Sequence, residues 1–199
     1  MITTTLQKIR QHQPCSEGWR TLLTFLGKTG ADDEPLPLVT ILQSNGLDDT
    51  LWCLRTITGH DKEIIRFTLA CAQDVRHLMT DQRSLDVLSA LERHLEIPLS
   101  KRELDQVVAE AAEAAEAAAE AAAEAAGSIW AAVAAAESAA LAACVAAAWT
   151  TAGAADAAVA AAESTGVAES AAEKAGPRKA AAWAAARARQ VQIFEGIFG

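Results

Sequence analysis

Cys71, Asp74 and His77 come nearest to residues whose types and spacing could do chemistry. Each lies three positions from the next, which would place all three on one face of a helix as a metal or proton-relay cluster. A buried cysteine beside an Asp–His pair on the helix surface explains the same residues without chemistry. We favour this second interpretation.

The rest of the sequence offers little for catalysis. His60 and Asp61 are better explained as the start of a helix, and His12 and His94 have no partner nearby in sequence. The sequence contains no GxGxxG, no GxxxxGK[ST], no HExxH and no CxxC pair, which are the signatures of phosphate and metal sites. We therefore predict a protein that is not an enzyme and uses no cofactor and no metal.

Charge is unevenly distributed along the chain. Residues 1–100 carry a net charge of −3, residues 103–176 carry −11 and residues 177–199 carry +3. An acidic surface repels phosphate backbones, whereas it attracts basic proteins. The charge distribution thus predicts a basic protein partner and no nucleic acid.

The most regular charged feature is a series of glutamates spaced three or four residues apart in the alanine-rich half. This spacing confines them to an arc of about 120° on a helix and leaves a broad alanine face for a neighbouring helix. The arc is our first candidate partner-binding surface, although such a stripe is often only a solvated face. It consists of Glu110, Glu113, Glu116, Glu120 and Glu124.

A second candidate surface combines acidic residues from two short segments. Asp32, Asp33 and Glu34 form a loop, and Asp48 and Asp49 precede Trp52 at a predicted helix start. Together they could hold basic groups of a partner. The alternative is a solvated loop and a helix cap.

Cysteine use and hydropathy predict a cytoplasmic protein. The four cysteines form no CxxC pair and no signal-peptide pattern precedes them, so we expect buried thiols without disulfides. The stretch from Trp130 to Trp149 has the length of a membrane span, but it is rich in alanine and contains Glu137. Because a central acidic residue is costly in a bilayer, we expect no membrane insertion.

Helix signals recur throughout and period-two alternation is missing, which predicts an all-α fold. Six helices are expected in residues 1–100: at about Thr3–Gln11, from a Ser16 cap to Gly27, from Pro37 to an end at Asn45–Gly46, at Asp49–Thr58 after an Asp48 cap, at Lys62–Met79 after an opening at His60–Asp61, and from Thr80 or Asp81 to Leu95. More than half of residues 109–188 are alanine, which favours helix strongly but supplies little apolar area. We predict N-terminal helical hairpins (1–100) followed by a bundle of closely packed alanine-rich helices (101–199), the last one from about Arg178 to Phe194. One continuous domain is the alternative to these two segments.

Three short segments resemble the alanine-rich immunity proteins of bacteria and phages. They are residues 45–55 (NGLDDTLWCLR), 70–75 (ACAQDV) and 85–93 (LDVLSALER), and the resemblance extends to residues 180–187 (AAAWAAAR). It implies a small intracellular protein that neutralises a toxin, or in a phage a host defence component, by direct binding. The alanine segment here carries Glu where relatives often carry Arg, and no site residues are transferred.

The leading functional prediction is therefore a binding protein of the inhibitor or immunity type that recognises a basic bacterial toxin or defence effector. One alternative is a sponge that sequesters a small molecule or signalling nucleotide, although its candidate basic residues are scattered. A structural alanine-helix protein is the other alternative. A protein copurifying with the chain favours the first, and a small bound mass favours the sponge.

Overall fold

The protein is all-α, as predicted. The computed structural model describes residues 1–74, 76, 82–107, 109, 110, 113 and 177–199. Within these ranges the chain is helical apart from a two-stranded ribbon and the connecting loops. The elements are β1 (Thr3–Thr4), α1 (Leu6–Gln11), α2 (Ser16–Leu26), β2 (Leu36–Pro37), α3 (Leu38–Asn45), α4 (Leu47–Cys53), a 3-10 turn (Leu54–Thr56), α5 (Asp61–Asp74), α6 (Gln82–Glu96), helical residues 101–107 and a C-terminal helix (Pro177–Phe198).

The first predicted helix begins later than expected. Thr3 and Thr4 pair in antiparallel register with Pro37 and Leu36, and Thr5 caps α1 by accepting a hydrogen bond from the Lys8 N–H at 3.1 Å. The Thr4 hydroxyl is buried, 2.5 Å from the Thr56 hydroxyl. The prediction of a helix from Thr3 was wrong because two-residue strands are too short to show any periodicity.

Residue 15, not Ser16, caps α2. The Cys15 sulfur accepts a hydrogen bond from the Gly18 N–H at 3.3 Å, and this position at the helix end leaves Cys15 exposed. The prediction that all four cysteines are buried is therefore wrong for Cys15, whereas Cys53 and Cys71 are buried and Cys144 lies outside the described residues. The predicted end of α2 is confirmed, since Gly27 adopts a left-handed conformation with φ 64°.

A tight corner at Gly46 joins α3 to α4. Pro37 caps α3 and Gly46, with φ 84°, follows its last residue, Asn45, as the sequence predicted. Gly46 also occupies the N-cap of α4, so the predicted Asp48 cap is wrong and Asp48 lies in the first turn. The predicted helix through Thr58 is also shorter, because a 3-10 turn replaces its second half.

Three phenylalanine rings pack the C-terminal helix against the N-terminal core. Phe194 and Phe198 are fully buried and stack with ring centroids 4.4 Å apart, while Phe67 of α5 meets them edge-on at 5.6 and 6.1 Å. The Ile2 N–H donates to the Phe198 carbonyl at 3.1 Å. The end of the alanine-rich segment thus completes the hydrophobic core of the N-terminal segment.

A second, smaller hydrophobic cluster lies where α5 and α6 meet residues 101–107. Leu88 and Leu91 are fully buried there, and Val107 packs against the same cluster. Ser100 and Glu103 form a reciprocal capping box at the start of this helical stretch. The Ser100 hydroxyl and N–H hold the pKa of Glu103 below its ordinary value. Because Leu88 and Leu91 precede residue 100 and Val107 follows it, side chains from both parts of the chain pack in one cluster.

Replacement of Phe194 by alanine should destabilise the protein by about 3 to 5 kcal/mol, because it removes a fully buried ring and leaves a cavity. Urea unfolding followed by circular dichroism measures this loss. Phe25→Ala is the control, since Phe25 is 54% exposed and its truncation should cost less than about 1 kcal/mol. Equal losses would contradict the role of Phe194 in the core.

The stability of the protein should fall as the pH drops below the ordinary imidazole pKa of 6.5. The Leu99 N–H donates to Nδ1 of His94 at 3.1 Å, so Nδ1 must carry no proton, and burial, helped by Lys62, lowers the pKa of His94. The unfolded chain therefore binds the proton more readily than the folded chain. The contribution of His94 is complete above pH 6.5 and is lost as the pH falls towards the lowered pKa of the folded state.

Urea unfolding at a series of pH values from 7.5 to 5.5 checks this expectation. His94→Gln should flatten the profile, whereas the same change at the exposed His12 should leave it unaltered. A wild-type profile that rises towards acid pH would show the sign to be wrong.

Candidate functional site

A cavity of about 80 Å³ opens between α2, α3 and α4. Its walls are mostly apolar, and two indoles from different helices contribute to them. Its polar side chains are one carboxylate, one amide and two thiols. The lining residues are Ile9, Pro14, Cys15, Gly18, Trp19, Leu22, Ile41, Asn45, Asp49, Trp52 and Cys53.

Helical spacing brings these residues to one place. On α2, Gly18, Trp19 and Leu22 follow the capping residue by three, four and seven positions, which is one helical face. On α4, Trp52 and Cys53 follow Asp49 by three and four positions in the same way. The cavity therefore lies where two such faces meet beside the end of α3.

The Asn45 side chain links all three helices at the cavity. Its amide nitrogen donates to the Gly18 carbonyl and to Oδ2 of Asp49, both at 2.8 Å. Its oxygen accepts from the Ser44 hydroxyl at 2.6 Å. Both amide hydrogens are thus used, so the Asp49 carboxylate is the charged acceptor that the cavity offers.

Close packing at Gly18 brings α2 against that carboxylate. A Cβ at residue 18 would lie 2.5 Å from Oδ2 of Asp49 and 3.2 Å from the Cys15 sulfur. The first of these distances is too short for any side chain. A larger residue at this position would therefore force the Asp49 carboxylate or α2 to shift.

An arginine side chain of the protein lies over each indole ring of the cavity. The Arg55 guanidinium lies 4.6 Å from the centroid of the Trp52 ring, and the Arg10 guanidinium lies 5.5 Å from that of Trp19. Such distances are those of cation–π contacts. One guanidinium group of the protein thus already lies over each of the two rings.

The buried thiol of the cavity is not a nucleophile at neutral pH. Burial, assisted by the negative charge of Asp49, raises the pKa of Cys53 to about 12. Because the thiolate is the reactive form of cysteine, Cys53 stays protonated and inert. Its role in the cavity wall is packing.

The loop acids of the second predicted surface are engaged by a lysine. The Lys28 ammonium lies 2.5 Å from carboxylate oxygens of both Asp32 and Glu34, which lowers the pKa of Asp32 and raises that of Lys28. The Gln7 N–H donates to the Asp32 carbonyl at 2.9 Å and anchors the loop to α1. Asp33 is exposed.

The two acids of α4 have different surroundings. Asp48 is exposed and forms an ion pair with Arg187 of the C-terminal helix, whereas Asp49 faces the cavity together with Trp52. Of the residues in the second predicted surface, the structure therefore brings Asp49 and Trp52 into one cavity.

Only the beginning of the glutamate arc lies among the described residues. Glu110 accepts a hydrogen bond from the Gln106 amide at 2.9 Å, and Glu113 lies 3.5 Å from the Arg83 guanidinium. The predicted residues Glu116, Glu120 and Glu124 lie outside the described residues, as does the stretch from Trp130 to Trp149. Of the two described acids, Glu113 thus faces a cation of the protein, whereas Glu110 meets a neutral amide.

The structure gives the surroundings of two of the three residues in the possible Cys71, Asp74 and His77 cluster. Cys71 is buried in the N-terminal core, and Asp74 accepts a hydrogen bond from the Arg189 guanidinium at 3.1 Å. His77 lies outside the described residues. Asp74 therefore helps to hold the C-terminal helix.

Sequence analysis did not assign Gly18, Trp19 or Asn45 to a site. Position 19 falls inside the second predicted helix, and Asn45 is at the end of the third. The signal that could have found the cavity is the repeated i, i+3, i+4 spacing of small, aromatic and acidic residues on α2 and α4. Sequence cannot show that these two faces meet.

The comparisons with known proteins add no relative. No family model matches the chain, and no curated protein or solved structure matches it. Among the described residues, no helix combines the length and the apolar character needed to cross a membrane.

Gly18→Ala should destabilise the protein by about 1 to 3 kcal/mol, because the new methyl group overlaps the Asp49 carboxylate. In an Asp49→Ala background the same change should cost at least about 1 kcal/mol less, since the obstructing oxygen is gone. Urea unfolding of the four proteins of this double-mutant cycle measures the coupling.

Gly196→Ala is the matched control, because Gly196 is also helical but a Cβ there meets open space. Alanine should stabilise that position by up to about 1 kcal/mol through helix propensity. A Gly18→Ala variant that gains as much stability would contradict the close approach of α2 to Asp49.

Proposed function

We propose that this protein is a binding protein of the inhibitor or immunity type that neutralises a basic toxin or defence effector by direct contact. The observation that carries the proposal is the aromatic cavity on α2 and α4 with the Asp49 carboxylate in its wall. An apolar recess with one fixed charge is a typical anchor point of a protein interface.

The overall charge supports a basic partner. The chain carries a net charge of −9 at pH 7, and charge of one sign speeds the association of a partner of the other sign. This effect acts at a distance and is weakened by salt. It favours encounter, whereas affinity must come from contacts such as those the cavity can make.

Asp49 is the strongest candidate among the described acids of the two predicted surfaces. Lys28 engages Asp32 and Glu34, Arg187 engages Asp48, and Arg83 approaches Glu113. The neighbour described for the Asp49 carboxylate is a neutral amide. A partner cation at Asp49 would therefore replace no ion pair among the residues that the structure describes.

The proposal also predicts the effect of charge reversal. Asp49→Lys should weaken binding of the partner by at least about tenfold, because it removes the anionic anchor and fills the cavity with a cation. Asp33→Lys changes the net charge equally at an exposed loop position, so it should slow association at low salt and leave dissociation unchanged. Glu113→Lys tests the glutamate arc in the same way.

Affinity capture from bacterial lysate, followed by surface plasmon resonance on the captured protein, measures these rates. Coexpression must also suppress the toxic or defence activity of that protein. A captured protein that binds Asp49→Lys as tightly as wild type would exclude the cavity as the anchor. Native mass spectrometry showing a bound small molecule and no protein partner would favour a sponge instead.

A further inference from the structure

We infer that the cavity takes a single lysine or arginine side chain of the partner, with its alkyl stem against the indoles and its cation on Asp49. This inference rests on the proposed function and names the group that the partner inserts. It follows from the hydrogen-bond inventory of the cavity, from its walls and from its size.

The hydrogen-bonding groups of the cavity favour a ligand that donates hydrogen bonds. Asn45 spends both amide hydrogens on Gly18 and Asp49, and the Cys15 sulfur accepts from the Gly18 N–H. Asp49 has one carboxylate oxygen with no described donor and a second with one donor. A ligand that carries N–H groups and positive charge satisfies these acceptors, whereas a carboxylate or phosphate would meet repulsion.

The walls suit a cation that arrives on an apolar stem. Arg10 and Arg55 already show that both indoles accept guanidinium groups, and the aliphatic part of a long basic side chain packs well on apolar surface. Leu22 and Ile41 extend that apolar surface beyond the indoles. A small hydrated inorganic cation would leave these groups without contacts.

The size of the cavity suits a single side chain. Its volume of about 80 Å³ is well below the roughly 300 to 1,000 Å³ of sites that hold drug-sized molecules. The outer half of one extended side chain would fit in it, whereas most of a nucleotide would lie outside. The position of the cavity between helix ends also allows the backbone of the partner to stay outside.

The test uses the full-length protein and two probes that differ in one group. Nα-acetyl-lysine methylamide carries the ammonium, and Nα-acetyl-norleucine methylamide has the same alkyl stem without it. NMR titration follows the indole N–H signals of Trp19 and Trp52 and the side-chain amide of Asn45. The lysine probe should shift these signals saturably and bind at least about tenfold more tightly than the norleucine probe.

Matched variants separate charge from shape. Asp49→Asn should reduce the preference for the lysine probe to within about twofold while leaving norleucine binding unchanged. Asp33→Asn removes the same charge at an exposed loop position and should keep the preference. The corresponding acetyl-arginine probe, run beside them, decides which of the two basic side chains fits better.

Two results would overturn the inference: equal affinity for the lysine and norleucine probes, or shifts that miss Trp19, Trp52 and Asn45. Should Asp49→Asn fail to fold, raising NaCl from 50 to 500 mM on the wild-type protein replaces it, and only lysine-probe binding should then weaken. Equal salt responses would likewise reject the role of Asp49. Because no partner protein is used, failure here is distinguishable from failure of the capture and coexpression experiments.

Discussion

The contact of Phe67 with Phe194 and Phe198 is the interaction on which the rest of the fold depends. These rings bring the last helix of the chain against α5 and into contact with α3, and the first strand then extends from the Phe198 carbonyl. Burial of one such ring contributes about 1.5 to 3 kcal/mol. The ion pairs of Arg187 and Arg189 on the same helix are exposed at one partner or both and contribute at most about 1 kcal/mol each. The rings therefore supply the affinity of the helix for the core, and the arginines help to set its orientation.

The cavity depends in turn on how α2, α3 and α4 meet. The Gly46 corner turns the chain sharply enough for Asn45 to reach both Gly18 and Asp49, and the missing Cβ at Gly18 lets α2 come close. An amide that spends both hydrogens on fixed acceptors has little freedom to rotate. The carboxylate of Asp49 is consequently held in place before any ligand arrives, which reduces the entropy lost on binding.

Local sequence signals were sufficient for much of the secondary structure. The all-α class, the end of α2 at Gly27, the Asn45–Gly46 corner and the start of α5 at Asp61 are confirmed because each depends on caps and spacing within a few residues. The ribbon of Thr3–Thr4 with Leu36–Pro37 was missed because it depends on a contact between distant residues. The capping role of Cys15 was missed because a thiol is a weak acceptor that cap preferences do not favour. The candidate site shows the same division, since Asp49 and Trp52 were predicted together from one helix, whereas Trp19 and Asn45 join them through tertiary packing alone.

The distribution of ion pairs explains how an acidic protein can select one contact point. An engaged acid still attracts cations from a distance, but a partner must displace the internal cation before it can make direct contact. Asp32, Glu34 and Asp48 are in that situation, so they contribute to encounter more than to affinity. At Asp49 the described donor is a neutral amide, and a partner cation would add a charge-assisted hydrogen bond, which is about twice as strong as a neutral one. Under the proposed function, general attraction and specific recognition would fall to different acids, and the surrounding indoles would limit the second role to a cation that brings its own apolar stem.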